Sequence, residues 1–93
     1  MSKRYFVIEM NNGVKYCGYG STCFGPRGDM GIKFDFVFSV NKDNSQIISP
    51  PQKSKYIFTI DYDCLIIPQD KGNDFIKEMN KKFNLNIFGN YPL

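Results

Sequence analysis

The stretch Gly31–Val40 reads Gly-Ile-Lys-Phe-Asp-Phe-Val-Phe-Ser-Val and carries the clearest structural signal in the chain. Large apolar side chains recur there at every second position. Because successive side chains of a β-strand point to opposite faces, this period predicts a strand with one buried and one solvated face. The predicted buried face consists of Ile32, Phe34, Phe36, Phe38 and Val40, and the predicted solvated face consists of Lys33, Asp35, Val37 and Ser39.

A β-hairpin is predicted upstream of this strand. Residues 5–10 and 14–19 alternate, and Asn12-Gly13 between them is a strong signal for a two-residue turn. Such a turn would place Ile8 opposite Cys17, Phe6 opposite Tyr19 and Met10 opposite Lys15, with Phe6, Ile8, Cys17 and Tyr19 forming the core face. The glycine-rich segment 20–31 is predicted to be a loop, since glycines weaken strand interiors.

The second half of the chain predicts a loop, a strand and a helix. Residues 41–54, with Pro50-Pro51, are expected to form a loop with a short edge strand at 46–49. Residues 55–67 predict a strand, whose inward side chains are Tyr56, Phe58, Ile60, Tyr62, Cys64 and Ile66 and whose outward ones are Ile57, Thr59, Asp61 and Asp63. A helix is predicted from Asp70 or Asn73 to about Phe83, with Phe75, Ile76, Met79 and Phe83 as its apolar stripe. Residues 85–88 alternate weakly and are expected to form one more short strand.

Together these elements predict a single α+β domain over residues 1–93. Its core would be an antiparallel β-meander of four to five strands with one C-terminal α-helix packed on the sheet. A half-open barrel is the alternative architecture, because Gly18 and Gly20 would let a strand coil sharply.

Composition excludes several kinds of chemistry. The chain has no histidine and three cysteines, which excludes Ser-His and Cys-His nucleophile pairs and histidine-ligated zinc. We therefore expect no catalytic residues, no metal and no cofactor. The absence of a long apolar run and of a secretory signal predicts a cytoplasmic protein without a membrane helix, whose thiols are reduced.

Three short motifs favour ordinary structural interpretations. The glycines of segment 18–25 lack the Gly-Lys-Ser/Thr of a phosphate-binding loop, and no helix is predicted after them. Arg27-Gly28-Asp29 predicts a turn with Gly28 at positive φ, not an adhesion motif. Asp35, Asp61 and Asp63 are expected on the solvated faces of neighbouring strands, where acidic residues are common. Convergence of the three on Mg²⁺ would make the chain a metal-dependent phosphodiesterase, the third hypothesis after the two below.

The leading hypothesis is a non-enzymatic module that binds another protein. Its motivation is a catalytically bare chain rich in aromatic residues, which protein interfaces favour. The expected partner-binding residues are Phe24, Arg27, Asp29 and Tyr16. Residues with A/T-rich codons dominate the composition, so an accessory protein or an inhibitor of a host defence enzyme, encoded by a phage or mobile element, is the finer hypothesis. A homodimer through an exposed edge strand such as Tyr5–Met10 is a further expectation.

The alternative is a small domain that binds single-stranded nucleic acid. The net charge is +3, and cations alternate with tyrosines along the chain, as needed for phosphate contacts and base stacking. The candidate cations are Lys3, Arg4, Lys15, Lys33 and Lys55, interleaved with Tyr5, Tyr16 and Tyr56. Their dispersion along the sequence is also what an ordinary solvated surface would show.

Overall fold

The computed structural model describes residues 2–58, 64–89 and 91 and confirms the predicted α+β class. The elements are β1 (Arg4–Met10), β2 (Lys15–Phe24), β3 (Met30–Val40), β4 (Ile47–Phe58), β5 (Cys64–Ile66) and α1 (Gln69–Phe83). All strands pair antiparallel in one open sheet of order β4-β3-β2-β1-β5. The inward and outward assignments of Thr59, Ile60, Asp61, Tyr62 and Asp63 lie outside the described residues.

Both faces of the sheet carry an apolar core. The face covered by α1, here called the helix face, is built from Tyr5, Val7, Cys17, Phe36, Phe38 and Val40, with Ile76, Met79 and Ile87 packed on them. The opposite face, here called the far face, is built from Phe6, Ile8, Ile32, Phe34, Val37 and Ile57. Adjacent residues of β1 therefore enter different cores, because successive side chains of a strand point to opposite faces and both faces of β1 are buried.

The register of the first hairpin differs from the prediction by one residue. Val7, not Ile8, pairs with Cys17. The connection is longer than two residues, since the Met10 N–H donates to the Val14 carbonyl and the Gly13 N–H to the Met10 carbonyl, both at 2.8 Å. A one-residue shift exchanges the faces of a strand. The predicted common core face was therefore wrong: Phe6 and Ile8 lie on the far face, whereas Cys17 and Tyr19 lie on the helix face.

The predicted strand at Gly31–Val40 is confirmed as β3. The prediction that only one of its faces is buried is wrong, because β3 contributes to both cores. Phe34 pairs with Gly20 and Phe36 pairs with Tyr19, which leaves Asp35 as an extra residue relative to β2. This β-bulge turns the strand, so Ile32 and Phe34 enter the far-face core while Phe36 and the residues after it alternate from the helix face. Val37 and Ser39, predicted to be solvated, are buried.

Two segments predicted as loops are mostly strand. β2 continues through Gly20 to Phe24, and a Cβ at Gly20 would stand 2.0 Å from the Lys33 carbonyl oxygen. That glycine thus allows close backbone approach within a coiled strand. β4 occupies most of the predicted loop 41–54 and includes Pro50-Pro51. The prolines are tolerated because β4 is an edge strand whose register against β3 shifts at this point.

The predicted strand 55–67 is divided between the two edges of the sheet. β4 ends at Phe58 on one edge, and β5 pairs with β1 on the other. Within β4, Tyr56 is exposed and Ile57 is buried, which reverses the predicted faces. Ile8–Met10 pair with β5, so this part of the segment Tyr5–Met10 is not a free sheet edge, and the homodimer stays a prediction.

The helix α1 begins at Gln69 after Pro68, earlier than predicted, and ends at Phe83 as predicted. Its apolar stripe is confirmed, with Ile76 and Met79 fully buried against the sheet. The predicted strand at 85–88 is wrong: these residues form no strand, although Leu85 packs on the helix-face core. Among the described residues no helix has the length and apolarity to cross a membrane.

The sheet curls toward its far face. The Lys55 ammonium of β4 lies 5.1 Å from the centre of the Tyr16 ring of β2, although β3 separates the two strands. The Arg4 guanidinium lies 4.6 Å from the Phe6 ring centre on the same face. The sheet is open, with β4 and β5 at its edges.

Candidate functional site

The end of the β2–β3 hairpin and the adjoining end of β4 expose large apolar side chains. Phe24 is 80% exposed, Tyr56 is 54% exposed and Met30 is 39% exposed. Two other exposed apolar side chains, Ile48 and Leu65, belong to other parts of the two edge strands. We call this region the hairpin-end surface, which comprises Phe24, Arg27, Met30, Lys33, Tyr56 and Phe58. The strand register places Phe24 and Met30 on the far face and Lys33, Tyr56 and Phe58 on the other face, so the surface wraps around the end of the sheet.

Phe24 projects because the hairpin extends beyond both cores. It forms the last pair of β2 and β3 with Met30, and a short turn follows it. In that turn the Gly28 N–H donates to the Gly25 carbonyl at 2.9 Å, and the Gly25 N–H donates to the Asp29 carbonyl at 2.8 Å. Gly28 has a φ of 78°, a value that favours glycine. The turn thus holds an exposed phenyl group on a hydrogen-bonded support.

Tyr56 and Phe58 form an aromatic pair beside the turn. Their ring centroids are 5.9 Å apart and the ring planes differ by 15°. The Phe58 ring occupies space left by a glycine, since a Cβ on Gly31 would stand 2.4 Å from its Cδ1 atom. The Lys33 ammonium lies 5.9 Å from the Tyr56 ring centre. This arrangement exposes the Tyr56 ring and the Lys33 ammonium, with the half-buried Phe58 ring stacked beside Tyr56.

The thiol nearest this surface is not activated. Burial and the nearby Asp29 raise the pKa of Cys23, against a smaller opposing effect of Lys33. Burial also raises the pKa of Cys17 far above its usual range. Because the thiolate is the reactive form, both shifts disfavour the reactive state of these thiols.

The described residues contain no cluster of three or more potential metal-ligating side chains. Asp35 is one of the three carboxylates considered for Mg²⁺. Its Oδ2 atom forms an ion pair with the Lys3 ammonium at 2.6 Å. Asp61 and Asp63 lie outside the described residues.

The structure brings three of the four predicted partner-binding residues together. Phe24, Arg27 and Asp29 lie at the hairpin end, where Phe24 and Arg27 are exposed and Asp29 is half-buried. Tyr16 does not join them, because it pairs with Ser39 near the other end of the sheet. There it lies partly buried at the far-face core, with Lys55 over its ring.

The predicted cationic residues are dispersed, and most have structural contacts. The Arg4 guanidinium donates to Gln69 Oε1 at 3.1 Å and covers Phe6. The Lys15 ammonium donates to the Lys42 carbonyl at 2.9 Å and to Asn44 Oδ1 at 3.0 Å. With Lys3 on Asp35 and Lys55 on Tyr16, only Lys33 of these five lies beside the exposed aromatic pair.

Sequence reasoning missed three members of the hairpin-end surface. Tyr56 and Phe58 were assigned to a buried face, and Met30 was not considered. The faces of Tyr56 and Phe58 follow from Ser54, whose φ of 56° interrupts the regular strand conformation just before them, and no sequence pattern indicates this conformation. Gly31 is the one sequence signal, since a glycine in a strand often marks close approach by a neighbouring group.

Comparison of the chain with models of protein families, with curated proteins and with solved structures found no match.

Proposed function

We propose that this chain is a non-enzymatic module that binds another protein through its hairpin-end surface. The observation that carries the proposal is the 80% exposure of Phe24 at the end of an ordered hairpin. Exposed aromatic side chains that adjoin other apolar groups are typical of interaction sites, and aromatic and arginine residues dominate binding energy at protein interfaces.

The side chains of the hairpin-end surface project from strands, whose backbone has little conformational entropy to lose on binding. Phe24 and Met30 are paired in a ladder, and Tyr56 and Phe58 are fixed on the neighbouring strand. A binding surface that is already ordered avoids part of the entropy cost of association. The supporting elements are thus suited to insert an aromatic tip into a pocket of a partner.

The charges around the tip indicate the chemistry of the partner. Arg27 and Lys33 are exposed, whereas Asp29 is half-buried. An apolar pocket with an acidic rim would complement them, since complementary charges increase the rate of association and the selection among partners. The finer hypothesis of an inhibitor of a host defence enzyme, encoded by a phage or mobile element, agrees with such a surface and rests on composition alone.

The test compares two exposed apolar side chains on different parts of the sheet. Immobilised wild type, Phe24→Ser and Leu65→Ser proteins would be used for capture from host extracts, and a recovered protein would then be purified for calorimetric titration. Leu65 is a matched control because it is 61% exposed on the edge strand β5. We expect Phe24→Ser to raise the dissociation constant about tenfold or more, as for an interface hot spot, and Leu65→Ser to leave it unchanged. Equal affinities for wild type and Phe24→Ser would reject the proposal.

Single-stranded nucleic acid is the second candidate ligand, favoured by the Tyr56–Phe58 pair next to Lys33. Exposed rings stack on bases, and a neighbouring ammonium contacts phosphate. Binding of a labelled single-stranded oligonucleotide that weakens steeply with salt, and that Tyr56→Ala abolishes, would support this candidate. Weak binding that Tyr56→Ala does not change would reject it.

A further inference from the structure

A second surface feature lies away from the hairpin end, between the edge strand β4 and the segment that follows α1. It is a cleft of about 250 Å³. Its lining residues are Phe36, Pro51, Gln52, Lys53, Leu85, Asn86, Ile87 and Tyr91. None of these residues belongs to the hairpin-end surface, so the cleft is a separate candidate site.

The floor of the cleft is apolar, and its accessible part is the half-buried Tyr91. The rings of Phe36 and Tyr91 are stacked, with centroids 5.0 Å apart and planes 17° apart. Ile87 beside them is almost fully buried. Phe36 belongs to the helix-face core, and the Tyr91 N–H donates to the Ile87 carbonyl at 3.1 Å. The floor is therefore fixed by the helix-face core through Phe36 and by the segment after α1 through the Tyr91–Ile87 hydrogen bond.

The rim carries polar groups, of which Lys53 is the cation. Lys53 pairs with Phe36 across the β3–β4 ladder and so lies on the helix face. Within the described residues, no hydrogen bond or ion pair is formed by the side chains of Lys53, Gln52 or Asn86. This differs from Lys3 and Lys15, whose ammonium groups have protein partners.

We propose that this cleft binds a small organic monoanion, a carboxylate with a flat apolar body. Its body would pack on Tyr91, whose ring is stacked on the buried ring of Phe36, and its carboxylate would pair with the Lys53 ammonium. Ligand sites are typically apolar clefts with a few converging polar groups, and this cleft is somewhat smaller than the usual range. One cation matches a single negative charge, and the volume suits a ligand of roughly a dozen non-hydrogen atoms.

The binding experiment uses the full chain, with 3-phenylpropionate as the probe and 3-phenylpropionamide as its neutral analogue. Backbone amide signals would be followed by NMR during titration. For a ligand of this size on an open cleft we expect a dissociation constant in the millimolar range. The largest shifts should be those of Phe36, Leu85 and Ile87, and the amide analogue should bind about fivefold more weakly, as loss of an exposed ion pair implies.

Two lysines of β4 provide a matched pair of variants. Lys53 lies on the helix face, whereas Lys55 pairs with Phe34 and lies on the far face. We expect Lys53→Gln to weaken phenylpropionate binding about fivefold and Lys55→Gln to leave it unchanged. Phe24→Ser should also leave it unchanged, because the cleft is independent of the hairpin-end surface.

Four results would overturn this assignment. They are equal binding of the acid and its amide, equal effects of Lys53→Gln and Lys55→Gln, shifts that map away from the cleft, and no shift at probe concentrations of about 10 mM. Each is read from a folded protein, since the unperturbed amide spectrum of each variant reports its fold.

Discussion

Phe34 and Phe36 are two residues apart in β3 and pack in different cores. Phe34 meets Phe6 on the far face with ring centroids 6.5 Å apart, whereas Phe36 stacks on Tyr91 on the helix face. The residue between them, Asp35, is the extra residue of the bulge against β2. One extra residue in β3 therefore directs the apolar side chains before it into one core and those after it into the other, although the sequence alternates without interruption.

The extra residue of β3 lies opposite an extra residue of β4. Phe34 pairs with Lys55 and Phe36 pairs with Lys53, so Ser54 stands opposite Asp35. We expect deletion of Asp35 alone, or of Ser54 alone, to destabilise the fold by about 3 kcal/mol or more, because either deletion puts β3 and β4 out of register. Deleting both residues keeps these strands in step and gives β2 and β3 a regular pairing.

Urea denaturation of the two single deletions and the double deletion would measure this coupling. The double deletion should recover a substantial part of the lost free energy of unfolding. Additive losses would show that Asp35 and Ser54 do not act as one structural unit.

Substitution of a buried and of an exposed phenylalanine should have very different effects on stability. Phe34 is fully buried and Phe24 is 80% exposed. Phe34→Ala should lower the free energy of unfolding by about 3 to 5 kcal/mol, as expected for a cavity left by a buried ring. Phe24→Ala should change it by less than about 0.5 kcal/mol, since exposed substitutions rarely affect stability. Chemical denaturation compares the two, and a large loss with Phe24→Ala would contradict the exposed position of this ring.

Gly18 is required where β2 passes the β3 backbone. A Cβ at this position would stand 2.1 Å from the Phe36 carbonyl oxygen and 2.8 Å from Phe34 Cδ1. Gly18→Ala should therefore cost about 3 kcal/mol of stability, because a backbone oxygen cannot move away as a side chain can. Gly89→Ala is the control, since a Cβ there meets nothing within 4 Å. Thermal midpoints of the two variants test this, and equal midpoints would be inconsistent with the close approach.

The stability of the protein should depend on pH in the alkaline range through Tyr5. Burial, and to a lesser degree Tyr19 and Tyr91, raise the pKa of Tyr5 from 10.0 to about 12. Between these values the unfolded state releases the phenolic proton and the native state keeps it. The contribution of Tyr5 is therefore complete below pH 10 and decreases as the pH rises toward 12.

The variant Tyr5→Phe isolates this contribution. The Tyr5 hydroxyl donates to the Tyr91 carbonyl, so the variant should lose about 1 kcal/mol at neutral pH. Its stability should then fall less steeply than that of the wild type between pH 10 and 12. Identical slopes in denaturation experiments across this interval would argue against a raised Tyr5 pKa.

The amino-acid sequence by itself determined the α+β class, the strand at Gly31–Val40 and the apolar stripe of α1. These are consequences of local periodicity, which each segment carries without its neighbours. It also placed Phe24, Arg27 and Asp29 in one glycine-rich segment, and residues so close in the chain lie near one another in the fold.

Only the tertiary structure decided which face each residue joins. The longer turn after Met10 shifted the first hairpin by one residue, and the extra residues Asp35 and Ser54 exchanged the faces of β3 and β4. A period-two sequence pattern does not reveal such shifts, because the pattern is the same whichever register the strand adopts. The pairing of β5 with β1, the exposure of Tyr56 and the cleft beside Lys53 all depend on contacts between segments distant in the chain. Local sequence patterns do not encode these contacts, because they arise only when the sheet is assembled.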